Sequence, residues 1–331
     1  MNILALVEAE DHVCCRYRIA AFRPHLEAAG HSLAIRALPK GFCGRIRTLA
    51  TARRADVVIL QRKLLSRIEL AWLRRNARRL VFDFDDALWL RDSHSGKGFD
   101  DAKRARRFRA TVRSADAVVA GNSILAESIG PRAVVIPTCI DIGRYATVAK
   151  PTTNERITLV WVGSSSTLKG LESRRDLFET LGKTIPGLRL KVICDRFPKF
   201  EHLPVDALPW KEQSEALEIA AADIGIAWVP DDPWSRGKCG LKLLQYQAAG
   251  LPVVANPVGV QAEIVRPGTN GYSATTIEEW IVAIRALAAD PSLRRRLGEA
   301  GREQVRTLYS VDVGGAKWVA LVNRLGKGPL C

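Results

Sequence analysis

The 331-residue sequence predicts an α/β fold made of two doubly wound domains, each a parallel sheet covered on both faces by helices. Three observations predict it. Apolar runs of strand length alternate with stretches of helical spacing from end to end. The runs are nearly unbroken in Val, Ile, Leu and Ala, as strands buried on both faces are. The alternation stops once, at the polar ATVAKPTTNER (146–156), and then restarts.

In order, the first half offers strands at ILALV (3–7), SLAIRAL (32–38), DVVIL (56–60), RLVFDFD (79–85), AVVAG (117–121) and AVVIP (133–137). Helices fill most of the gaps. One is expected over 18–29, from the spacing of Ile19, Phe22 and Leu26 and the stop at Gly30. The second half offers ITLVWVG (157–163), LRLKVIC (188–194), IGIAWVP (224–230) and LPVVANP (251–257). The expected domains are 1–145 and 157–308, joined by a linker over 146–156. The segment 309–331 reads as a terminal helix packing back toward the first domain through Trp318 and Leu321. Ligands of such sheets bind beyond the carboxyl ends of the strands, which places the expected site in a cleft between facing domains.

No apolar run reaches the roughly 18 residues of a membrane span. MNILALVEAEDH reads as a first strand, not a signal peptide. Seven cysteines show no disulfide or zinc spacing, and the five histidines show no ligand pair. A reducing cytoplasm is the expected compartment. The formal net charge is +15, most of it in the first 150 residues, in runs such as RRNARR (74–79) and KRARRFR (103–109). Such a surface attracts phosphates, anionic lipid or nucleic acid, and otherwise is a solvated basic face. No GxGxxG follows the first strand of either half, which argues against a dinucleotide oxidoreductase.

The most informative stretch is GKCGLKLLQYQAAGLPVVANPVG (237–259). A helix beginning near Gly240, Leu241 and Lys242 presents backbone N–H groups with no helical partner, and its dipole favours an anion there. Lys242 adds a charge-assisted bond and Gly240 permits close approach. Lys238 lies four residues before Lys242, and Lys169 follows the first strand of the same half; the alternative for each is a solvated surface lysine. In the first half, Asp83, Asp85 and Asp86 end a strand. They read as carboxylates for hydroxyl groups, as an Asp-x-Asp metal motif, or as an acidic N-cap cluster. Arg16 and Arg18, after the first strand, could clamp a phosphate bidentately. Trp210 reads as a stacking wall or a core tryptophan.

VWVGSSSTLKG (160–170), AADIGIAWVP (221–230), GLKLLQYQAAGLPVVANPVGVQAEIV (240–265), NGY (270–272) and VIPTCID (135–141) together resemble the retaining glycosyltransferases of family 4, which have the GT-B fold. The resemblance is firm over 135–310 and weaker before it, and it implies an acceptor-side domain over 1–145 and a nucleotide-sugar-binding domain over 157–308. It implies a GT-B enzyme that transfers a sugar, of hexosyl type, from a nucleoside-diphosphate donor such as a UDP-sugar to an acceptor hydroxyl with retention. It implies donor binding by Gly163, Ser164, Ser166, Lys169, Trp210, Lys238, Gly240, Leu241, Lys242 and Gln245. It implies catalytic roles for Asp85, Asp86, Lys169 and Lys242, and no metal or other cofactor. Four positions depart from the family pattern. Its two glutamates, eight apart, fall on Gly237 and Gln245, its loop arginine falls on Ser164, and its His-Asp pair becomes Asp85–Asp86. Gln245 then marks the ribose side, and Asp231 or Asp232 is a substitute carboxylate. The expected partners are a nucleotide sugar, a glycan or lipid-linked acceptor of cell-surface polysaccharide or glycolipid synthesis, and an anionic membrane at the inner face of the cytoplasmic membrane. Two other readings are a same-fold epimerase or phosphorylase, and a non-catalytic basic protein binding nucleic acid or acting as a scaffold; nucleic acid is the disfavoured partner.

Overall fold

The computed structural model describes residues 1–145 and 156–327. The expected linker, apart from Arg156, and the last four residues lie outside the described residues. The chain forms two compact units. The first comprises Met1–Cys139, Asp232–Cys239 and the chain from Val311; the second comprises Ile140–Asp231 and Gly240–Ser310. The units are therefore not contiguous in sequence, and the stretch 237–259 changes unit between Cys239 and Gly240.

The first unit holds β1 (Asn2–Val7), β2 (Ser32–Ala37), β3 (Val57–Gln61), β4 (Arg79–Phe84), β5 (Ala117–Ala120) and β6 (Ala133–Val135). They form one parallel sheet in the order β2-β1-β3-β4-β5-β6. Alternate side chains divide the core into two layers. Leu4, Leu6, Val58, Leu60, Leu80, Phe82 and Phe84 pack under helices Phe42–Ala50, Arg67–Asn76 and Ala102–Ser114. Ile3, Ala5, Val7, Val57, Ile59 and Val81 pack against Phe22, Leu26, Trp318, Leu321 and Val322. The last three belong to the final helix, Val311–Gly326. Its Gly314 and Gly315 make that approach close, since a Cβ would strike Cys139 and Phe22 at the first and His25 at the second.

The helix expected over 18–29 is broken. Helix Val13–Arg18 stops at Ile19, a single turn Ala20–Phe22 follows, and helix Arg23–Ala28 restarts with Pro24 in its first turn. Proline lacks the N–H that a continuous helix would need at that point.

The second unit holds β7 (Ile157–Val162), β8 (Leu188–Cys194), β9 (Val205–Pro209), β10 (Ile224–Ala227), β11 (Val253–Ala255) and β12 (Gly271–Ser273). This sheet is also parallel, ordered β12-β11-β10-β7-β8-β9. The alternating pattern missed β9 and β12, the two edge strands. Val205–Pro209 is half-exposed and Gly271–Ser273 has three residues, so neither carries an apolar run. In both sheets the first strand sits inside, beside a strand from each direction of winding. The switch points therefore lie at β1/β3 and β7/β10, where crevices open beyond the carboxyl ends.

Candidate functional site

In the second unit, the switch point is built from the turn after β7 and helix Leu241–Ala248, which follows β10 after the chain has left the unit and returned. The Tyr246 hydroxyl accepts from the Val162 N–H at 3.0 Å and so ties the helix to the last residue of β7. Tyr246 is buried against Gly225 of β10, where a Cβ would collide with its ring. Gly163 then turns the chain over Trp161, whose ring and Thr167 Oγ1 leave no room for a Cβ. The same buried Trp161 ring carries the Lys242 ammonium, 5.1 Å from its centroid. Lys242 is thus placed at the end of the sheet by packing from below.

Helix Leu241–Ala248 begins at Gly240, whose φ of 66° is left-handed. No side chain caps it, and its first turn holds no acidic residue but does hold Lys242. A lysine at the positive end of a helix dipole opposes the usual preference, which an anionic ligand at that end would reverse. Gly240 is also fixed by packing, because a Cβ there would reach Ile264 Cδ1 at 2.5 Å. Gly240→Ala should destabilise the second unit by about 1–2 kcal/mol through left-handed strain, read as a lowered unfolding midpoint.

Ser164 opens helix Ser165–Glu172. Its hydroxyl lies 2.8 Å from that of Ser166, and both residues are exposed. The Ser165 N–H donates to Asp195 at 2.7 Å, and that bond holds the Asp195 carboxyl below its usual range. Lys169 is exposed, one turn further along the same helix. Where the family places an arginine, this loop presents two hydroxyls.

Gln245 does not offer a free amide toward a ribose. It is buried, and its Nε2 donates to Glu215 Oε1 at 2.8 Å and to the Tyr145 hydroxyl at 3.1 Å. The second Glu215 oxygen accepts from the Trp210 indole N–H. Trp210 is no core tryptophan: it is 40% exposed, directly after β9, with its N–H anchored. Glu215 escaped the sequence reading because a single glutamate opening a short helix has no periodic signature. Its carboxylate joins the Trp210 wall to helix Leu241–Ala248, beside the position where the family carries its second glutamate.

The first unit gathers charges at the carboxyl ends of β3 and β4. Arg18 is not a phosphate clamp. It is fully buried and forks onto Asp83, with Nε to Oδ2 at 3.1 Å and Nη2 to Oδ1 at 2.5 Å, while Nη1 donates to the Ile136 carbonyl. Burial lowers the Arg18 pKa but the Asp83 charge more than offsets it. Burial also raises the Asp83 carboxyl against Arg18. The two-point fork is the geometry of an ion pair, and we assign both groups as charged. With Asp83 committed to Arg18, the Asp-x-Asp reading loses its first ligand. Arg16 is half-buried, its guanidinium 5.5 Å from the Tyr17 ring centroid.

Asp85 and Asp86 receive one arginine between them. Arg62 Nη1 bonds Asp85, and Nη2 bonds Asp86 at 2.7 Å. Arg62 has a φ of 58°, the one left-handed non-glycine residue among those described. Its N–H donates to the Asp83 carbonyl at 2.8 Å, which helps hold the strained residue at the sheet end. Burial pushes the Asp85 carboxyl up, but Arg62 and then Arg18 outweigh it and keep Asp85 below the usual range. No helix starts at Asp85–Asp86, so the capping reading fails; the next helix is capped by Asp101. Burial also drives the Cys14 and Cys239 thiols far above their ordinary range, so neither is a thiolate nucleophile.

Lys238 belongs to this unit, whereas Lys242 belongs to the second. Its ammonium lies 3.6 Å from Asp86 and 5.3 Å from the Trp234 ring centroid. Asn122 Nδ2 donates to the Gly237 and Lys238 carbonyls at 3.2 and 3.0 Å, fixing the segment. Gly237 fits tightly, since a Cβ would lie 3.1 Å from both Ala87 and Leu125. Its departure from the family glutamate is therefore accounted for by packing. Asp232 is spent as the N-cap of helix Pro233–Arg236.

The comparisons agree with this architecture. Residues 174–317, less than half of the chain, match the family described as Glycosyl transferase-like. No curated protein sequence matches the chain significantly. Among solved structures, the sucrose-phosphate synthase (tll1590) from Thermosynechococcus elongatus is similar over 98% of this chain and 99% of its own, at 16% identity and a TM-score of 0.75. A glycosyltransferase from Rickettsia africae ESF-5 is similar over 99% of each chain, at 14% identity and a TM-score of 0.73. Anabaena Alr3699/HepE in complex with UDP and glucose is similar over 98% of this chain and 100% of its own, at 16% identity and a TM-score of 0.69. The chain therefore has the two-sheet α/β fold of GT-B glycosyltransferase structures, with a glycosyl transferase-like segment over 174–317.

Proposed function

We propose that this protein is a glycosyltransferase that moves a hexosyl group from a nucleoside-diphosphate donor, with UDP as the carrier, to an acceptor hydroxyl with retention. The observation that carries the reading is the start of helix Leu241–Ala248, which lies at a switch point and holds Lys242 with no acid in its first turn. Support for UDP comes from the similar Anabaena HepE, whose structures hold UDP, UDP with glucose, and UDP-glucose.

As the donor's glycosidic bond lengthens, negative charge grows on the leaving diphosphate. The N–H groups of Leu241 and Lys242 and the ammonium groups of Lys242 and Lys169 stabilise it, which makes a metal unnecessary in this proposal. Ser164, Ser166 and the Gly163 turn line the same strand end. Trp210 stacks on the base, with Glu215 and Gln245 holding that wall in place. Asp85 and Asp86 receive the acceptor hydroxyl or the transferred sugar. The acceptor is a glycan or a lipid-linked saccharide of cell-surface synthesis.

Calorimetric titration with UDP, GDP and dTDP, followed by product analysis with a UDP-hexose panel and saccharide acceptors, tests the reading. The expected result is UDP binding in the micromolar range and an α-to-α or β-to-β product by NMR. Absence of binding to every nucleotide overturns it, and sugar isomerisation or phosphorolysis without an acceptor favours the same-fold alternatives. Asp85→Asn should lower turnover at least about tenfold, the scale of a positioned acid–base or polar contact, with UDP affinity unchanged. Full turnover in that variant removes Asp85 from the chemistry.

A further inference from the structure

The first unit exposes an apolar patch that the sugar-transfer reading does not use. On helix Arg67–Asn76 the exposed residues are Arg67, Ile68, Ala71, Trp72 and Arg75. Their spacing of one and four makes a single outward stripe, opposite the buried Leu70 and Leu73. Ile68 is 69% exposed and Trp72 39%. The neighbouring helix Phe42–Ala50 adds Phe42, 52% exposed, and Arg47.

The two helices are fastened to each other. The Trp72 indole N–H donates to the Ile46 carbonyl at 3.2 Å, and Arg45 pairs with Glu69 at 2.9 Å. Phe42 lies one turn before Ile46, so it belongs to the same outer face. Trp72 has its polar atom satisfied within the protein while its ring remains partly exposed. Glu69 is the one acidic residue in either helix. It is buried, and the Ser66 N–H donates to it at 2.8 Å. The outward stripe of these two helices therefore bears arginine but no acidic residue of its own. Lys40, Arg53 and Arg54 extend its basic rim, and the adjoining helix Ala102–Ser114 exposes Lys103, Arg106, Arg109 and Arg113.

We propose that this face docks on an anionic lipid bilayer, with Phe42, Ile68 and Trp72 entering the boundary between headgroups and acyl chains and Arg47, Arg67 and Arg75 meeting lipid phosphates. Large apolar side chains within a basic rim are the chemistry of an interfacial surface. An amphipathic indole anchored at its N–H is suited to that boundary. A second copy of the chain would bring arginine against arginine. A nucleic acid would take the arginines but leave Ile68, the most exposed of the three, without a partner. The inference deepens the lipid-linked part of the function proposed above, and it rests on residues outside the nucleotide site.

Co-sedimentation with phosphatidylcholine vesicles, with and without phosphatidylglycerol, is the test. The expected result is binding to the anionic vesicles alone, with a blue shift of tryptophan emission that Trp72→Phe removes. Phe42→Ser/Ile68→Ser keeps Trp72 and its bond to Ile46; it should weaken vesicle binding by about tenfold or more and reduce the shift. Changing Arg47, Arg67 or Arg75 to Gln should cost about fivefold each, more at low salt. The double serine variant should keep its UDP affinity, so failure of the docking and failure of the nucleotide reading are separable. Equal binding to neutral and anionic vesicles, or full binding by the serine variant, overturns the proposal. So does tight binding of single-stranded RNA that the serine variant loses while vesicles fail to bind.

Discussion

Lys242→Ala is expected to weaken UDP binding by about ten- to a hundredfold, measured by calorimetry. The figure follows from a hydrogen bond to a charged group, worth about 1.5–3 kcal/mol. The local packing sharpens the expectation. Lys242 rests on Trp161 at 5.1 Å, and Trp161 is buried beneath Gly163. The ammonium is thus partly pre-positioned, and less side-chain entropy is lost when a diphosphate arrives. Lys242→Arg should recover only part of the affinity, because a planar fork stacked on Trp161 aims its donors differently from a compact ammonium. The helix itself should be unharmed, since a first-turn lysine opposes its dipole. An alanine variant with wild-type UDP affinity would remove the diphosphate from this helix.

Arg18→Met should destabilise the first unit by about 3–5 kcal/mol, because it leaves Asp83 buried without its cation. Asp83 is fully buried, and besides Arg18 only Gln61, at 3.4 Å, reaches its carboxylate among the described contacts. Urea unfolding followed through the first unit's tryptophans should show an earlier transition. The chain forms two units, so the two transitions have to be resolved before either is read as a free energy. Arg18→Met/Asp83→Leu should regain most of the loss, since an apolar pair costs less than one orphaned charge. Arg18 also contributes to keeping Asp85 ionised. The single variant should therefore disturb the neighbouring carboxylate as well as the fold. An unchanged midpoint would mean that Asp83 is neutral in the folded protein.

The interior strands of both sheets were legible in the sequence, because a strand buried on both faces is an apolar run bounded by turn residues. The edge strands β9 and β12 were not, since an edge needs little apolar surface. The split of helix 18–29 was written in Pro24, which outweighs the continuous spacing of Ile19, Phe22 and Leu26. Site residues fared less evenly. Gly240 and Lys242 lie at the helix start that the glycine–lysine pattern implied. Arg18 and Gln245 looked like ligand-facing groups because a polar residue in a sequence does not declare its burial. Their partners, Asp83 sixty-five residues away and Glu215 thirty residues away, are supplied only by the fold. Lys238 and Lys242 are four apart in the chain, but the backbone changes unit between them. Periodicity carries no trace of such a crossing.

The final helix has a consequence for how the protein is made. All six strands of the first sheet are synthesised before the second unit begins, yet one face of that sheet keeps Ile3, Val57, Ile59 and Val81 for Trp318, Leu321 and Val322. The segment Asp232–Cys239 is also contributed late. During synthesis the earliest domain waits, partly uncovered, while the later one is translated, and its roof arrives last. A nascent chain stalled near residue 300 should therefore be protease-sensitive in its first 140 residues and recruit chaperones there, whereas the released chain should resist.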